Sequence, residues 1–256
     1  MLIDLRRIAG VNIDQKIDAV FHVASSINLG NNAENILDIT NDNIIVNYLI
    51  ADFVIRHRIN KIILSSTCSV YEENYLNDKW VTEENALKPH NLYATSKLAG
   101  EWILGARLKG VVEEFVVLRY SSIYGFGQRR GTILPTFIQN AMTSKPLRIL
   151  GSGNRKQDYV YIDDVVWANT TLLNTQLPFN TVFNIGSGEP TTDFNLAKNI
   201  VTIWNNSATT EILNEQRSPE AILNYSIEKA RKYMNFNPIK LEEGLKLYKS
   251  SQVQYT

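Results

Sequence analysis

A tyrosine and a lysine four residues apart on one helix place an ammonium beside a phenol, and the cation lowers a phenol pKa that starts near about 10. Such a pair can take and return a proton near neutrality. The spacing occurs three times in the 256 residues, at Tyr75/Lys79, Tyr93/Lys97 and Tyr225/Lys229, so spacing alone does not choose among them. Tyr75/Lys79 lies in the polar stretch EENYLNDKW and Tyr225/Lys229 follows the last expected strand, whereas Tyr93/Lys97 opens a long helical pattern between strands. Just upstream, the run KIILSS leads into Thr67-Cys68-Ser69-Val70-Tyr71. That places hydroxyls at the C-terminal end of a strand, where open parallel sheets bind ligands. A hydroxyl there can hold a substrate oxygen while the tyrosine moves a proton; the alternative is a set of loop hydroxyls capping the next turn.

Other chemistries have less behind them. Gly125-Phe126-Gly127-Gln128-Arg129-Arg130-Gly131 follows a strand and precedes a helical pattern, but its spacing differs from the dinucleotide fingerprint and suits a substrate-facing loop or a surface turn. Gly151-Ser152-Gly153 and Gly186-Ser187-Gly188 read as turns. No Gly-x-Ser-x-Gly elbow occurs. His22 ends a strand, where it either lines a site or bonds the backbone, and Cys68 reads as a buried packing thiol beside the proposed hydroxyls. Arg129-Arg130 and Arg155-Lys156 are solvated faces or phosphate contacts.

The elements that must position these residues follow from periodicity. Short β-branched runs at 18–24, 61–66, 114–120, 158–162 and 181–185 alternate with helical patterns, which argues for βαβ units and a mainly parallel sheet. Val46, Ile50, Phe53 and Val54 form one apolar helix stripe, and a second helix runs from Tyr93 to Leu108 with Gly110 as its stop. Asp163 and Asp164 stand where an N-cap belongs, and 192–206, 226–235 and 240–250 look helical. The fold class is therefore α/β: a Rossmann-like, mainly parallel sheet flanked by helices, with a small, mostly helical C-terminal subdomain.

Composition narrows the function. Twenty-six Lys+Arg balance 26 Asp+Glu, so no broad field of one sign attracts nucleic acid or an anionic membrane. One cysteine and three histidines cannot build a disulfide framework or a zinc cage, no metal site is expected, and a reducing, cytoplasmic setting fits. No apolar run approaches a membrane span.

Six ordered blocks, VFHVAS, LSSTCSVY, YATSK, LRYSSIYGFGQ, GSGNRKQDYVYIDDVV and FNIGSG, closely resemble the extended short-chain dehydrogenase/reductase family, the NAD-dependent epimerases and dehydratases of nucleotide sugars. The likeness runs from about Met1 to Tyr248. It implies NAD as cofactor, a nucleotide sugar as substrate and a homodimer among the assemblies open to the chain. It implies Tyr93 as catalytic base, Lys97 as its partner and ribose contact, and Thr67 as the hydroxyl member, which also touches substrate. Asp4 and Leu5 would lie near adenine, Val23, Ala24 and Ser65 would line the cofactor, and Tyr120 and Ser121 would approach the nicotinamide. Ser122, Gln128, Arg155 and Arg217 would hold the substrate. The resemblance divides the chain into an NAD-binding domain over 1–165 and a mainly substrate-binding subdomain over 166–256, interleaved through loops 121–160 and strand 181–185.

The departures from the family pattern matter too. The chain begins at the Asp-Leu pair, so the first strand, glycine loop, first helix and second strand, about 50–60 residues at the usual size of a βαβ unit, are expected to be missing. Residues 2–5 would then be the third strand, 18–24 an exposed apolar edge, and the chain by itself a weak NAD binder prone to self-association. Ser122 stands where the family often has Asn, Gln157 where it often has Arg, and Glu72 where it commonly has Gly. Dehydratases of the family carry Asp-Glu after the catalytic Thr; Cys68 and Ser69 stand there instead, which favours epimerisation over dehydration or reduction. A non-catalytic nucleotide-sugar-binding or protein-binding module is the reading from another class. In a chain that carries a phosphate loop, Tyr93→Phe is expected to cut turnover by roughly 10²–10⁴-fold, while Tyr75→Phe and Tyr225→Phe leave initial rates nearly intact. Equal rates for Tyr93→Phe and Tyr75→Phe would overturn the assignment.

Overall fold

Apolar residues at 46, 50, 53 and 54 demand a helix with one buried stripe. The computed structural model, which describes residues 4–27, 37, 39–71, 79–128, 131–204, 208–213 and 224–254, forms α1 (Val46–Arg56) there with all four side chains buried. A π-helical turn, Asn41–Ile45, leads into it. Helix α2 (Leu92–Leu108) begins where the Asn91 side chain accepts a hydrogen bond from the Ala94 N–H at 2.8 Å, a cap that favours starting at this point. The chain leaves that helix through Gly110 at φ +74°, a conformation glycine adopts without strain.

The strands, in chain order, are β1 (Val20–His22), β2 (Lys61–Thr67), β3 (Glu114–Tyr120), β4 (Ser122–Tyr124), β5 (Leu147–Leu150), β6 (Lys156–Gln157), β7 (Tyr159–Tyr161), β8 (Thr181–Ile185), β9 (Thr191–Thr192) and β10 (Thr210–Leu213). Further helices are α3 (Ile133–Met142), α4 (Ile162–Thr171), α5 (Asp193–Trp204), α6 (Glu228–Met234) and α7 (Leu241–Gln254). The chain divides into two compact units, one of residues 1–72, 83–120 and 168–184, the other of residues 73–82, 121–167 and 185–256.

In the first unit the strand order is β1-β2-β3-β8, with β1 to β2 and β2 to β3 parallel. Register places Thr67 opposite Tyr120 and His22 opposite Leu64. Ile62, Leu64, Phe115 and Val117 alternate onto one face of the sheet and pack with Val46, Ile50, Phe53, Leu104 and Leu108 from the two helices. The intervening Ile63 and Val116 are buried as well, as expected of parallel strands covered on both faces. Among the described strands β1 is terminal, and its Phe21 is 36% exposed.

The expectation of a strand over residues 2–5 is corrected at its described end. Leu5 starts a 3₁₀ turn, Leu5–Gly10, because the Asp4 carboxylate accepts from the Arg6 N–H at 3.0 Å and draws the backbone into a turn; residues 2 and 3 lie outside the described residues.

In the second unit β4 pairs in parallel with β7, β5 in parallel with β10, and β6 antiparallel with β9. The core gathers Tyr124, Tyr159 and Tyr161 with Phe137 and Ile138 of α3, Leu196 and Ile200 of α5 and Leu245 of α7. The run at 158–162 thus forms a strand outside the main sheet, and residues 121–167 group with the second unit. The reason is local pairing: β4 finds its partner in β7, which periodicity cannot reveal. Asp163 and Asp164 stand inside the first turn of α4 rather than at its N-cap, and the Asp164 carboxylate accepts from the Ile239 N–H at 3.2 Å.

Asp158, fully buried just before β7, accepts hydrogen bonds from Ser187 N–H at 2.7 Å, Ser187 Oγ at 3.0 Å and Gly188 N–H at 2.9 Å. A Cβ on Gly186 would meet Asp158 Oδ1 at 2.7 Å, and that carboxylate is pinned by its donors. Gly186→Ala is therefore expected to destabilise the chain by about 1–3 kcal/mol through overpacking, read as a lower thermal or urea midpoint; an unchanged midpoint would show that the loop yields.

Candidate active site

Strand β2 ends at Thr67, whose Oγ1 accepts from the Ser69 N–H at 3.2 Å and so caps the 3₁₀ turn Cys68–Val70. Used as an acceptor toward the backbone, the hydroxyl keeps its hydrogen available for donation. Cys68 turns inward, and its Sγ donates to the Arg119 carbonyl at 3.1 Å, a packing role. The chain is then held beside the strand end, because Tyr71 bridges Leu87 and the Lys88 N–H donates to the Val70 carbonyl at 2.9 Å. From there it enters α2, which packs against β2 and the Cys68–Val70 turn.

Tyr93 and Lys97 sit one turn apart on α2. Lys97 is only 6% exposed, and among the described residues its ammonium makes no hydrogen bond. Burial lowers its pKa to about 8 against the opposing pull of Glu101, while burial raises the Tyr93 phenol. His22, at the end of β1, is held down to about 4, first by burial and then by the Lys97 charge, with Asn47 acting the other way. It is a neutral imidazole at pH 7.

Asn43 escaped the sequence reading. From the π-helical turn its Oδ1 accepts from Ser26 N–H at 2.7 Å and Ser25 Oγ at 3.1 Å, and its Nδ2 donates to the Ser26 carbonyl at 2.9 Å and to Ser96 Oγ at 3.1 Å. One buried amide thereby ties the loop after β1 to the helix that carries Tyr93 and Lys97. The signal was present only as a polar residue ahead of an apolar stripe.

Tyr120 and Ser65 come together as well. The Tyr120 hydroxyl accepts from Asn169 Nδ2 at 2.7 Å and bonds Ser65, and burial pushes the phenol up to about 12. Val23 and Ala24 follow β1 and are exposed, Val23 by 63%. Asp4 is exposed, and its carboxylate grips the Arg6 guanidinium at 2.7–3.1 Å, which holds it down to about 2.

The remaining expected residues belong to the second unit. Ser121 donates its backbone N–H to the Ile185 carbonyl at 2.9 Å, and Ser122 Oγ accepts from Gln157 Nε2, so two of the residues that depart from the family pattern bond each other. Gln128 folds back on its own loop, its N–H bonding the Gly125 carbonyl and its Nε2 the Ile123 carbonyl, each at 3.1 Å. The Arg155 carbonyl accepts from the Asp193 N–H at 3.0 Å. Arg217, Arg129, Arg130 and Tyr75 lie outside the described residues. Tyr225 pairs with Val81 in an isolated bridge and α6 starts only at Glu228, so Tyr225 and Lys229 do not share a helix.

On α2 a buried ammonium with no hydrogen bond among the described residues lies one turn from a tyrosine, and exposed apolar positions follow β1. The glycine loops at 125–127, 151–153 and 186–188 all belong to the second unit. Among the described residues no group of three or more His, Cys, Asp and Glu is placed to hold a metal ion, and no helix is long and apolar enough to cross a membrane.

Comparison with known proteins decides the family: residues 2–186 match the NAD dependent epimerase/dehydratase family. The chain belongs to that family. Within it, the chain is 30% identical over 251 residues to a putative UDP-glucose 4-epimerase of Methanocaldococcus jannaschii, covering 92% of this chain and 78% of that protein. It is 28% identical over 211 residues to a dTDP-D-glucose 4,6-dehydratase of Dictyostelium discoideum, covering 79% of this chain but only 48% of the relative. The crystal structure of UDP-glucuronic acid 4-epimerase from Bacillus cereus in complex with NAD superposes with a TM-score of 0.82 at 28% identity, covering 99% of this chain and 79% of that one.

Burial beside the Lys97 charge gives His22 a measurable signature. Its folded pKa of about 4 lies below the ordinary 6.5, so as pH falls the unfolded chain takes up the proton first. Stability from this residue is present above pH 6.5 and is lost as pH falls toward 4. His22→Asn is expected to flatten the difference in urea midpoint between about pH 7 and about pH 5; an equally steep difference in the variant would show that His22 is not the group responsible.

Proposed function

We propose that the chain is an NAD-dependent 4-epimerase of a nucleotide-diphosphate sugar. In this reading Ser122, Gln128, Arg155 and Arg217 are the residues that the family resemblance implies for holding the nucleotide sugar. Tyr93 takes the proton of the sugar hydroxyl and later returns it. Lys97 holds a positive charge beside the phenol and favours the phenolate. Thr67 donates its hydrogen to the same substrate oxygen. NAD, when bound, would supply the hydride acceptor, the hydride returning to the opposite face once the keto sugar has turned over.

The observation that carries epimerisation over dehydration is the pair of residues after Thr67. Removing water needs an acid for the leaving hydroxyl and a base for the neighbouring carbon. Cys68 is buried against the Arg119 carbonyl and Ser69 lies in the 3₁₀ turn, so neither position offers a carboxylate. A second reading, a nucleotide-sugar-binding module without turnover, draws support from the placement of every described glycine loop in the second unit.

Incubation with NAD and UDP-glucose or UDP-glucuronic acid, followed by separation of the sugar nucleotides, tests the proposal. Interconversion of 4-epimers with no net NADH and no loss of water is expected. A product lighter by one water in the mass spectrum would make the chain a dehydratase, a sustained rise in reduced cofactor a dehydrogenase, and substrate binding without conversion a binding module.

A further inference from the structure

Helix α2 carries Tyr93, Lys97 and Glu101 at successive turns of one face. Glu101 is 6% exposed and bonded at both oxygens. Its Oε1 accepts from Ser66 Oγ and from Arg119 Nε at 3.1 Å, and its Oε2 accepts from Arg119 Nη2 at 2.7 Å. Arg119 continues the network by donating Nη1 to the Tyr71 hydroxyl at 2.9 Å, and that hydroxyl donates to Asn184 Oδ1 at 2.6 Å. The Asn184 N–H bonds Glu83 Oε1 at 2.8 Å. Ser66 immediately precedes Thr67, and Tyr71 closes the turn that follows it. One carboxylate therefore joins the helix bearing the acid–base pair to the strand end bearing the substrate hydroxyl.

A buried ion pair is a poor stabiliser, since desolvation offsets most of its attraction and apolar residues of similar volume often serve as well. We propose that Glu101 is a positioning residue for the Tyr93–Lys97 pair: locked by Arg119 and Ser66, it sets α2 against the Thr67 end of β2 and presents a fixed negative charge to the Lys97 ammonium. The proposal rests on the acid–base reading of Tyr93 and Lys97. From β1, His22 faces Lys97 as a neutral ring; Tyr93 and Glu101 share its helix; Asn43 and Asn47, from the π-helical turn and α1, carry no charge; and Arg119, from β3, is engaged by Glu101. Glu101 stands one turn beyond Lys97 on the same helix, and its charge opposes the effect of burial on the ammonium. Without it burial would act alone, and the lysine would lose its proton closer to neutrality.

The test reads Lys97 directly. In the chain without cofactor, the NMR titration of the Lys97 ε-methylene, assigned by its disappearance in Lys97→Arg, gives the lysine's midpoint. Glu101→Gln combined with Arg119→Gln removes the carboxylate together with the guanidinium paired to it, and because the carboxylate is the member of the pair that bears on Lys97, the midpoint is expected to fall by about one pH unit. The alkaline limb of kcat/KM should move down by the same amount. An unchanged Lys97 midpoint in the folded double variant overturns the proposal. Glu101→Asp, which keeps the charge but withdraws it by one methylene, covers the case in which the double variant does not fold: a smaller downward shift supports the proposal and an unchanged midpoint refutes it. A lowered midpoint in a protein that turns over no sugar would leave the positioning role standing and remove the epimerase reading instead.

Discussion

A lysine ammonium held away from water on α2 is the constraint around which the first unit is arranged. Burying a cation is expensive unless charge or hydrogen bonds compensate, and here burial, only partly offset by Glu101, draws the pKa down to about 8. The helix must therefore be held where it is by contacts other than those of the lysine. Gly100 lets α1 approach α2 so closely that a Cβ there would meet Asn47 Nδ2 at 2.8 Å. Asn43 ties the neighbouring loop to Ser96, and Glu101 joins the helix to β2 and β3. Apolar packing of Leu104 and Leu108 against Phe115 and Val117 anchors the far end.

The same burial separates the functions of similar groups. Tyr71 and Tyr120 are phenols at strand ends, yet both are engaged, the first by Arg119 and Asn184 and the second by Asn169 and Ser65. Tyr93 shares its helix face with the cation. Burial raises all three phenols, so what sets Tyr93 apart is its place one turn from Lys97 on α2, while Tyr71 and Tyr120 spend their hydroxyls on fixed neighbours. His22 contributes in the opposite sense, staying neutral so that no second positive charge competes with Lys97.

The second unit shows how a buried carboxylate organises backbone in place of chemistry. Asp158 collects N–H and hydroxyl donors from Ser187 and Gly188, which shapes the turn after β8, and Gly186 leaves it the room to do so. Gln157, the residue before it, is spent on Ser122. Of the described residues implied as substrate contacts, Ser122 is bonded to Gln157 and Gln128 to its own loop.

By itself the sequence determined the alternation of strands and helices, the buried stripe of α1, the N-terminal start of α2 and the residues competing as acid–base pairs, because these depend on periodicity and capping within a few neighbours. The order of the family blocks likewise needs only the linear chain. Tertiary structure alone decided that Tyr225 and Lys229 do not share a helix, that β7 pairs with β4 outside the main sheet, and that Leu5 enters a turn. It alone revealed Asn43, Glu101, Arg119 and Asn184 as the groups bracing the site, since their partners lie 17 to 113 residues away in the chain. A hydrogen bond across such separations leaves no mark on local spacing; it exists only once the sheet has set strand ends and helix faces side by side.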